Sequence, residues 1–449
     1  MPGAIRMSDQ AARPISLLKR SGHTARRHAA EARFRTCGLG AILIGLLALA
    51  MLLASVLGSG LGAFRQTYIH LPIHLDEAAL DKSGNRDPKA LKKVTTISYG
   101  KVIAASLNDT VLQAGIATQG LTKDDIAGII SREAPAQVRD MVLSDTDLIG
   151  KTIQVRLLAN GRIDGYLKGR ITAATAARDS NVSPAQLQLA DVMMERGLMS
   201  LDFNAAFLTA PDASDQRPEA AGLGVAILGS AYMMLIVLAL ALPIGVAASI
   251  YLEEFAPKNG LTDLIEVNIS NLAAVPSIVF GILGLAIFIN FAGLPHSAPV
   301  VGGLVLTLMT LPTIIIATRA SLKAVPPSIR QAAQGLGASR MQAVFHHVLP
   351  LAAPGILTGA ILGLAQALGE TAPLLLIGMV AFVREYPGAP PEGLFDPASA
   401  LPVQIYNWTQ RADPAFVERA SGAIIVLLAF LLFMNAGAIL LRRRFERRW

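Results

Sequence analysis

Apolar residues are gathered into long blocks separated by polar stretches. The first block runs from Cys37 to about Phe64 with no charged side chain inside it. Others cover about 222 to 251, 268 to 291, 297 to 318, 354 to 382 and 420 to 441, each rich in Leu, Ile, Val, Ala and Gly. A membrane-spanning helix needs about 20 predominantly apolar residues, so the pattern predicts six spans. The first block is nearly twice the apolar core of a cleavable signal peptide, roughly 7 to 15 residues, and reads as a retained anchor. Between the first two blocks lies a hydrophilic segment, about 65 to 220, long enough to bury a core of its own. The expected architecture is an all-α polytopic membrane protein with a mixed α/β domain inserted between its first and second helices.

Within that segment Val94 to Ile103 looks strand-like. Thr122 with Asp125 three residues on resembles a capping box opening a helix to about Val142. Lys151 to Ala159, Asn160-Gly161 and Arg162 to Gly169 read as a hairpin on a type I′ turn. Ser183-Pro184 starts a further helix that Gly197 stops.

Composition agrees with a membrane protein: 53% of the 449 residues are hydrophobic, 16% are charged, and the mean hydropathy is +0.49. An average soluble domain is about 25% charged. The formal charge of +7 fits either nucleic acid or a membrane surface, and its placement decides between them. Eight basic residues lie in the first 36 positions, five Arg follow position 441, and Arg319, Lys323, Arg330 and Arg340 occupy an acid-free stretch from 319 to 350. Segment 65 to 220 is nearly neutral, with 18 basic and 19 acidic residues. Basic residues concentrate on the cytoplasmic side of spans. Both termini are therefore expected inside, at 1-36 and 442-449, and 65 to 220 outside. A nucleic-acid surface would need a basic patch on a folded domain. Against this orientation stands only the stretch from Tyr251 to Val267, with Lys258 against four acids. The single cysteine, Cys37, excludes an intramolecular disulfide or a cysteine zinc site from this chain alone.

Little supports an enzyme. Gly150-Lys151-Thr152 resembles the end of a P-loop, but Asp145 stands where the loop needs its first glycine, so the stretch reads as the entry to a strand. His346 and His347 are adjacent and diverge by about 100° on a helix, which suits a surface pair better than metal ligands. No Ser/His/Asp arrangement is legible. The chain is expected to bind no cofactor. Glu370 is different: within an apolar span a carboxylate costs roughly 2.5 kcal/mol or more and marks a functional site by default. Arg319, at a span end, can snorkel to the interface or face a path. Pro243, Pro276, Pro312 and Pro373 fall inside four spans, and broken helices of this kind are tolerated where they line a cavity.

The run from Val325 through Arg330-Gln331-Ala332-Ala333, Gly337-Ala338-Ser339 and on to Leu349-Pro350 resembles the EAA loop of ABC-importer permeases. Gln331 stands for the family's glutamate and His347 for its apolar residue. Ala274 to Gly281, Leu368-Gly369-Glu370-Thr371-Ala372-Pro373-Leu374-Leu375 and Leu401 to Tyr406 are similar to segments of the PstA-type permease subunits of phosphate importers. The resemblance covers about 200 to 449. It implies a type I ABC-importer permease fold and the inward transport of phosphate, or of another oxyanion such as sulfate or molybdate. It implies a PstC-like sister permease, a PstB-like ATPase dimer that uses ATP with Mg, and a PstS-like binding protein. It also implies an ATPase-coupling loop at 320 to 350 carried by Arg330, Gln331, Ala332, Ala333, Gly337, Ala338, Leu349 and Pro350. Glu370, Thr371, Ser277 and Arg319 are the expected pathway residues. Many relatives carry an arginine at about Ile316, and the ordinary family has no long insert after its first span. A membrane-anchored sensor working through 65 to 220 is the rival reading.

Overall fold

The computed structural model describes residues 22–445 apart from 82, 83, 85, 119, 380 and 381. The basic residues expected in the tails before 22 and after 445 lie outside the described residues. The chain forms two compact units, one through Ser55 and one from Val56. The first holds most of α1 (Gly22–Gly60), whose apolar side chains are exposed all round, Leu43, Leu47 and Met51 among them. That is the pattern of a helix solvated by lipid.

The second unit begins with a three-stranded antiparallel sheet in the order β2-β1-β3, built from β1 (Arg65–His74), β2 (Thr152–Leu158) and β3 (Met199–Phe203). Alternation along β1 sends Ile69, Leu71 and Ile73 into the core, each fully buried, opposite Leu157, Val155 and Ile153 of β2. Helices α2 (Thr96–Gln113), α3 (Lys123–Ala127), α4 (Ala134–Ser144), α5 (Gly161–Leu167) and α6 (Pro184–Glu195) accompany the sheet. Residues of α2 and α4 share the core of β1.

Three local expectations are overturned here. Val94 to Ile103 is not a strand, because its apolar residues belong to a longer four-residue rhythm: Tyr99, Ile103, Leu107 and Val111 are all buried on one face of α2. The capping box is present, with the Thr122 hydroxyl accepting from the Asp125 N–H and the Asp125 carboxylate from the Thr122 N–H. Its helix nonetheless stops at Ala127, and α4 starts afresh at Ala134. Asn160-Gly161 is no I′ turn, which would need positive φ at both residues; Asn160 has φ −56 and caps α5, its Oδ1 accepting from the Arg162 N–H at 2.9 Å. Gly161 is crowded: a Cβ there would lie 2.8 Å from Glu219 Oε2 and 3.1 Å from Pro218 Cγ, so a larger residue must push the Glu219 carboxylate aside. Ser183 caps α6 and Gly197 follows it with φ +74, as its residue types predict.

The remaining elements are helical: α7 (Gly224–Ile250), α8 (Gly260–Ala273), α9 (Ser277–Gly284), α10 (Pro299–Lys323), α11 (Pro327–Gly335), α12 (Leu349–Gly369), α13 (Ala372–Leu376), α14 (Leu401–Thr409) and α15 (Pro414–Phe445). Among the described residues five helical stretches are long and apolar enough to cross a membrane: Arg26–Phe64, Gly224–Phe255, Pro299–Lys323, Arg340–Gly369 and Pro414–Leu440. The block expected at 268 to 291 is instead a bent pair, Gly260–Ala273 and Ser277–Phe291, turning by 101°. Pro276 lies at the bend as the N-cap of α9, where its missing N–H leaves no intrahelical bond unmade. The block expected at 354 to 382 ends at Gly369, with Pro373 in the short α13 that follows. Of the four prolines expected inside spans, Pro243 and Pro312 sit inside continuous helices, and so does Pro354 in α12. Met233, Val237, Val301, Val305, Ala367 and Leu374 form the core that joins α7, α10, α12 and α13.

Candidate functional site

The EAA-like segment folds into a helix, a turn and a second helix. Pro326 is the N-cap of α11 and Pro327 its first residue, a position where proline is pre-organised. At the other end the Gly337 N–H bonds the Gln334 carbonyl at 2.9 Å and the Ala338 N–H bonds the Ala333 carbonyl at 3.0 Å. This is a Schellman cap, and it needs a left-handed residue at its centre. Gly337 has φ +90. The motif's spacing is thus a helix stop: the Ala333 carbonyl receives the bond that Gly337 makes possible. Ser339 and Gln342 then form a capping box that restarts the helix, which continues through a wide turn, Val344–Val348, into Leu349 and Pro350 of α12. Ala333, Ala343, Val344 and Val348 are buried, while Gln331, Ala332 and Gly337 are exposed. Leu336 at the tip is 91% exposed. His346 and His347 are also exposed, on a helical turn and not in the expected loop.

Arg330 anchors this segment to Tyr251–Phe255, the helical turn that continues α7. Its Nε and Nη2 donate to Glu254 Oε1 at 3.0 and 2.6 Å, and its Nη1 and Nη2 donate to the carbonyls of Val325 at 2.8 Å and Leu322 at 2.9 Å. Glu254 is buried, so both charges are held by a fork of charge-assisted bonds. One turn back on α10, Arg319 is held in a second ion cluster. Its Nη2 donates to Glu266 Oε1 at 2.6 Å and lies 3.4 Å from Glu253, which Lys323 also approaches at 3.6 Å. Three of the four acids of 251 to 267, Glu253, Glu254 and Glu266, which run against the inside-positive count by sequence, are the counter-ions of Arg319, Lys323 and Arg330 on α10 and α11.

Glu370 is not midway along a helix. It is the C-cap of α12 with extended backbone, φ −78 and ψ 127, and Thr371 follows as the N-cap of α13. The carboxylate is partly exposed and makes no ion pair among the described residues. Ser277, also partly exposed, opens α9. The two breaks belong to helices in direct contact: a Cβ on Gly281 of α9 would stand 2.7 Å from Cα of Pro373 in α13. The structure therefore pairs the helices of Ser277 and Thr371, next to Glu370, and places Arg319 in the ion cluster with Glu253 and Glu266. Ile316 is 43% exposed on α10.

Two features were invisible in the sequence. Pairing of β1 with β3 assembles His70, Ser200 and Asp202, but the Ser200 hydroxyl donates to Asp202 at 2.7 Å and His70 Nε2 meets Ser200 at 2.8 Å. The serine proton faces the acid and the histidine must donate, the reverse of a nucleophile activated by its base. Separately, Asp164 and Lys168 of α5 with Arg170 meet Glu418 of α15 in a buried ion network. Lys168 Nζ lies 2.7 Å from Asp164 and 3.1 Å from Glu418, and Arg170 also contacts Glu418. The spacing Asp164 to Lys168 is legible as a helical i, i+4 pair; the partner some 250 residues away is not. Among the described residues no cluster of His, Cys, Asp or Glu could hold a metal ion.

Residues 241–449 match the family model of the binding-protein-dependent transport system inner membrane component, and residues 21–177 match a domain of unknown function, DUF3333. A probable ABC transporter permease protein, YqgI of Bacillus subtilis, is 34% identical over 49% of this chain and 78% of its own length. The phosphate transport system permease protein PstA of Xylella fastidiosa strain Temecula1 is 29% identical over 56% of this chain and 85% of its own. PstA 2 of Mycobacterium bovis is 34% identical over 52% and 76%.

Proposed function

The chain belongs to the PstA-type permeases of ABC importers, multi-pass membrane proteins, and from that premise we propose that it moves inorganic phosphate into the cell while a separate ATPase supplies the energy. The observation that carries this reading is the Schellman-capped helix ending at Gly337, set on the turn that continues α7 by the Arg330 clamp. It is a rigid, exposed lever between two spans, with an apolar tip at Leu336. A PstB-like ATPase dimer closing on ATP would press on this lever and swing α10 and α12 between outward-open and inward-open arrangements. A PstC-like permease would supply the other half of the path and a PstS-like protein the substrate. This mechanism puts both termini and residues 320 to 350 in the cytoplasm and residues 65 to 220 outside. The domain boundaries follow as 37 to 64 for the first span and 221 to 441 for the permease core.

The path would run along the paired breaks at Ser277 and at Glu370-Thr371. A carboxylate repels phosphate, so Glu370 acts through an arginine of the sister permease or as a proton carrier. Replacing Glu370 with Gln is expected to lower phosphate uptake several-fold at unchanged membrane level; uptake equal to that of the parent chain removes Glu370 from the path.

The assembly itself is tested first. The chain, tagged, is co-expressed with the ATPase and the sister permease and purified, and the ATPase is expected to co-purify. No atom lies within 4 Å of a Cβ built on Gly337, so Gly337→Val creates no clash. It does force a β-branched residue to φ +90, at roughly 1 to 3 kcal/mol. Association is expected to fall about fivefold or more, since each 1.4 kcal/mol is a factor of ten. Full retention of the ATPase would mean that the lever is not its docking site. Uptake with sulfate and molybdate as competitors then identifies the oxyanion.

A further inference from the structure

A cavity of about 390 Å³ lies where β1, α4, the connection from 204 to 221 and the start of α15 come together. Three guanidinium groups line it, those of Arg217, Arg384 and Arg419. Their counter-charges are unevenly committed. Arg217 and Arg384 converge on one carboxylate, Glu133, with Arg217 in direct contact and Arg384 at 3.9 Å. Asp212 is neutralised by Arg411 at 2.7 Å. Glu219 is buried and accepts a 2.5 Å hydrogen bond from Ser131, and burial pushes its carboxyl pKa up, outweighing that bond and the charge of Arg419. Arg419 is buried and satisfied by the carbonyls of Ala221 and Glu219 and by Gln66.

Two donors at this cavity are unspent. Arg384 makes no hydrogen bond among the described residues and its one ion pair is the long one to Glu133. The Tyr68 hydroxyl likewise has no hydrogen bond among them, although its ring lies 4.2 Å beneath Arg156. Burial raises the Tyr68 pKa, so the phenol keeps its proton and donates at neutral pH. An excess of fixed positive charge, a planar fork with free N–H groups and a hydroxyl donor are the groups that bind a tetrahedral oxyanion.

We propose that this cavity binds a tetrahedral oxyanion, inorganic phosphate on the reading above, through the guanidinium of Arg384 and the hydroxyl of Tyr68. The proposal rests on that reading for the choice of anion. It assigns a small-molecule site to the region between residue 61 and the last span, separate from the breaks at Ser277 and Glu370. Arg217 and Arg419 set the local potential, and Glu133 holds Arg217 in place until an anion arrives to share Arg384.

The test titrates inorganic phosphate into the full-length chain in lipid nanodiscs, without nucleotide and at constant ionic strength in chloride, and follows the heat of binding. Wild-type binding is expected, weakened about tenfold or more by Arg384→Gln, as for loss of a charge-assisted hydrogen bond, and weakened less by Tyr68→Phe. Arg384→Lys, which keeps the charge, is expected to recover part of the affinity. Phosphate binding that is absent from the wild type, or unchanged in Arg384→Gln, overturns the proposal. Uptake by the assembled importer separates the two readings. If phosphate is transported and Arg384 does not affect binding, the cavity assignment alone fails; if binding depends on Arg384 and no phosphate is transported, the transport reading alone fails.

Discussion

Arg330→Ala is expected to cut phosphate uptake by at least about tenfold while the chain still reaches the membrane. The substitution strands Glu254, a buried carboxylate whose only ion pair among the described residues is with Arg330. Removing one partner of a buried pair costs about 3 to 5 kcal/mol, and the lower end applies because Arg330 retains 22% of its side-chain surface in water. About 3 kcal/mol shifts the ratio of seated to unseated lever by roughly a hundredfold. The carbonyls of Leu322 and Val325 each lose a guanidinium donor as well. Arg330→Lys supplies charge without the fork and is expected to fall between the two. Pairing Arg330→Ala with Glu254→Leu removes the stranded charge and is expected to recover thermal stability. Initial rates of labelled phosphate uptake, scaled to the amount of chain in the membrane, are the measurement. An unchanged rate in Arg330→Ala would show that the lever is held by other contacts. Gln331, in place of the family's glutamate, is exposed and takes no part in this clamp.

The second large effect is on stability. Asp164 is buried and accepts the Thr67 backbone N–H at 2.9 Å, Lys168 at 2.7 Å and Arg170 at 3.4 Å. Asp164→Ala leaves a buried ammonium with one counter-ion, Glu418, and an unbonded N–H in β1. The expected loss is about 3 to 5 kcal/mol; the shift per kcal/mol is about 2 to 4 °C at 150 to 250 residues and smaller for a unit that starts at Val56 and runs to the last helix, so the apparent Tm should drop by roughly 5 °C. Asp147→Ala is the control. It breaks an exposed pair with Arg86 at 3.2 Å, of a kind worth about 0 to 1 kcal/mol. Thermal unfolding of both variants in nanodiscs decides the matter. Equal, small shifts would show that the network between α5 and α15 carries no stability.

What could be read in advance follows from the range of the physics involved. Apolar blocks report the spans because burial in lipid is a property of each helix alone, and capping residues report helix ends because the bond is local. Thr122, Ser183 and Gly197 are legible for that reason, whereas Gly337 entered through the family motif and not as a cap. Errors arose where a local signal is shared by two structures. Asn160-Gly161 suits a hairpin turn or a cap before a residue crowded by Glu219, and Glu219 is nearly 60 residues distant. The β-branched run at 94 to 103 resembles a strand until the rhythm through Val111 is included. At Pro276 and Glu370 hydropathy continues across a break in the backbone, so composition shows one apolar block at each, although at Pro276 the chain turns by 101°. Charge partners were the least legible. Arg319 with Glu266, and Arg330 with Glu254, join residues more than 50 positions apart, and the basic count that set the orientation treated them as independent.

The α5–α15 network also has a consequence for how the protein is made. Asp164, Lys168 and Arg170 leave the ribosome some 250 residues before Glu418, and until Glu418 follows, the cations of α5 have Asp164 as their one partner in the network. Docking the first turn of α15 completes that charge balance, which makes the last helix the closing step of a fold begun by β1. A nascent chain cut short before Pro414 would present one surplus cation at a surface meant to be dry.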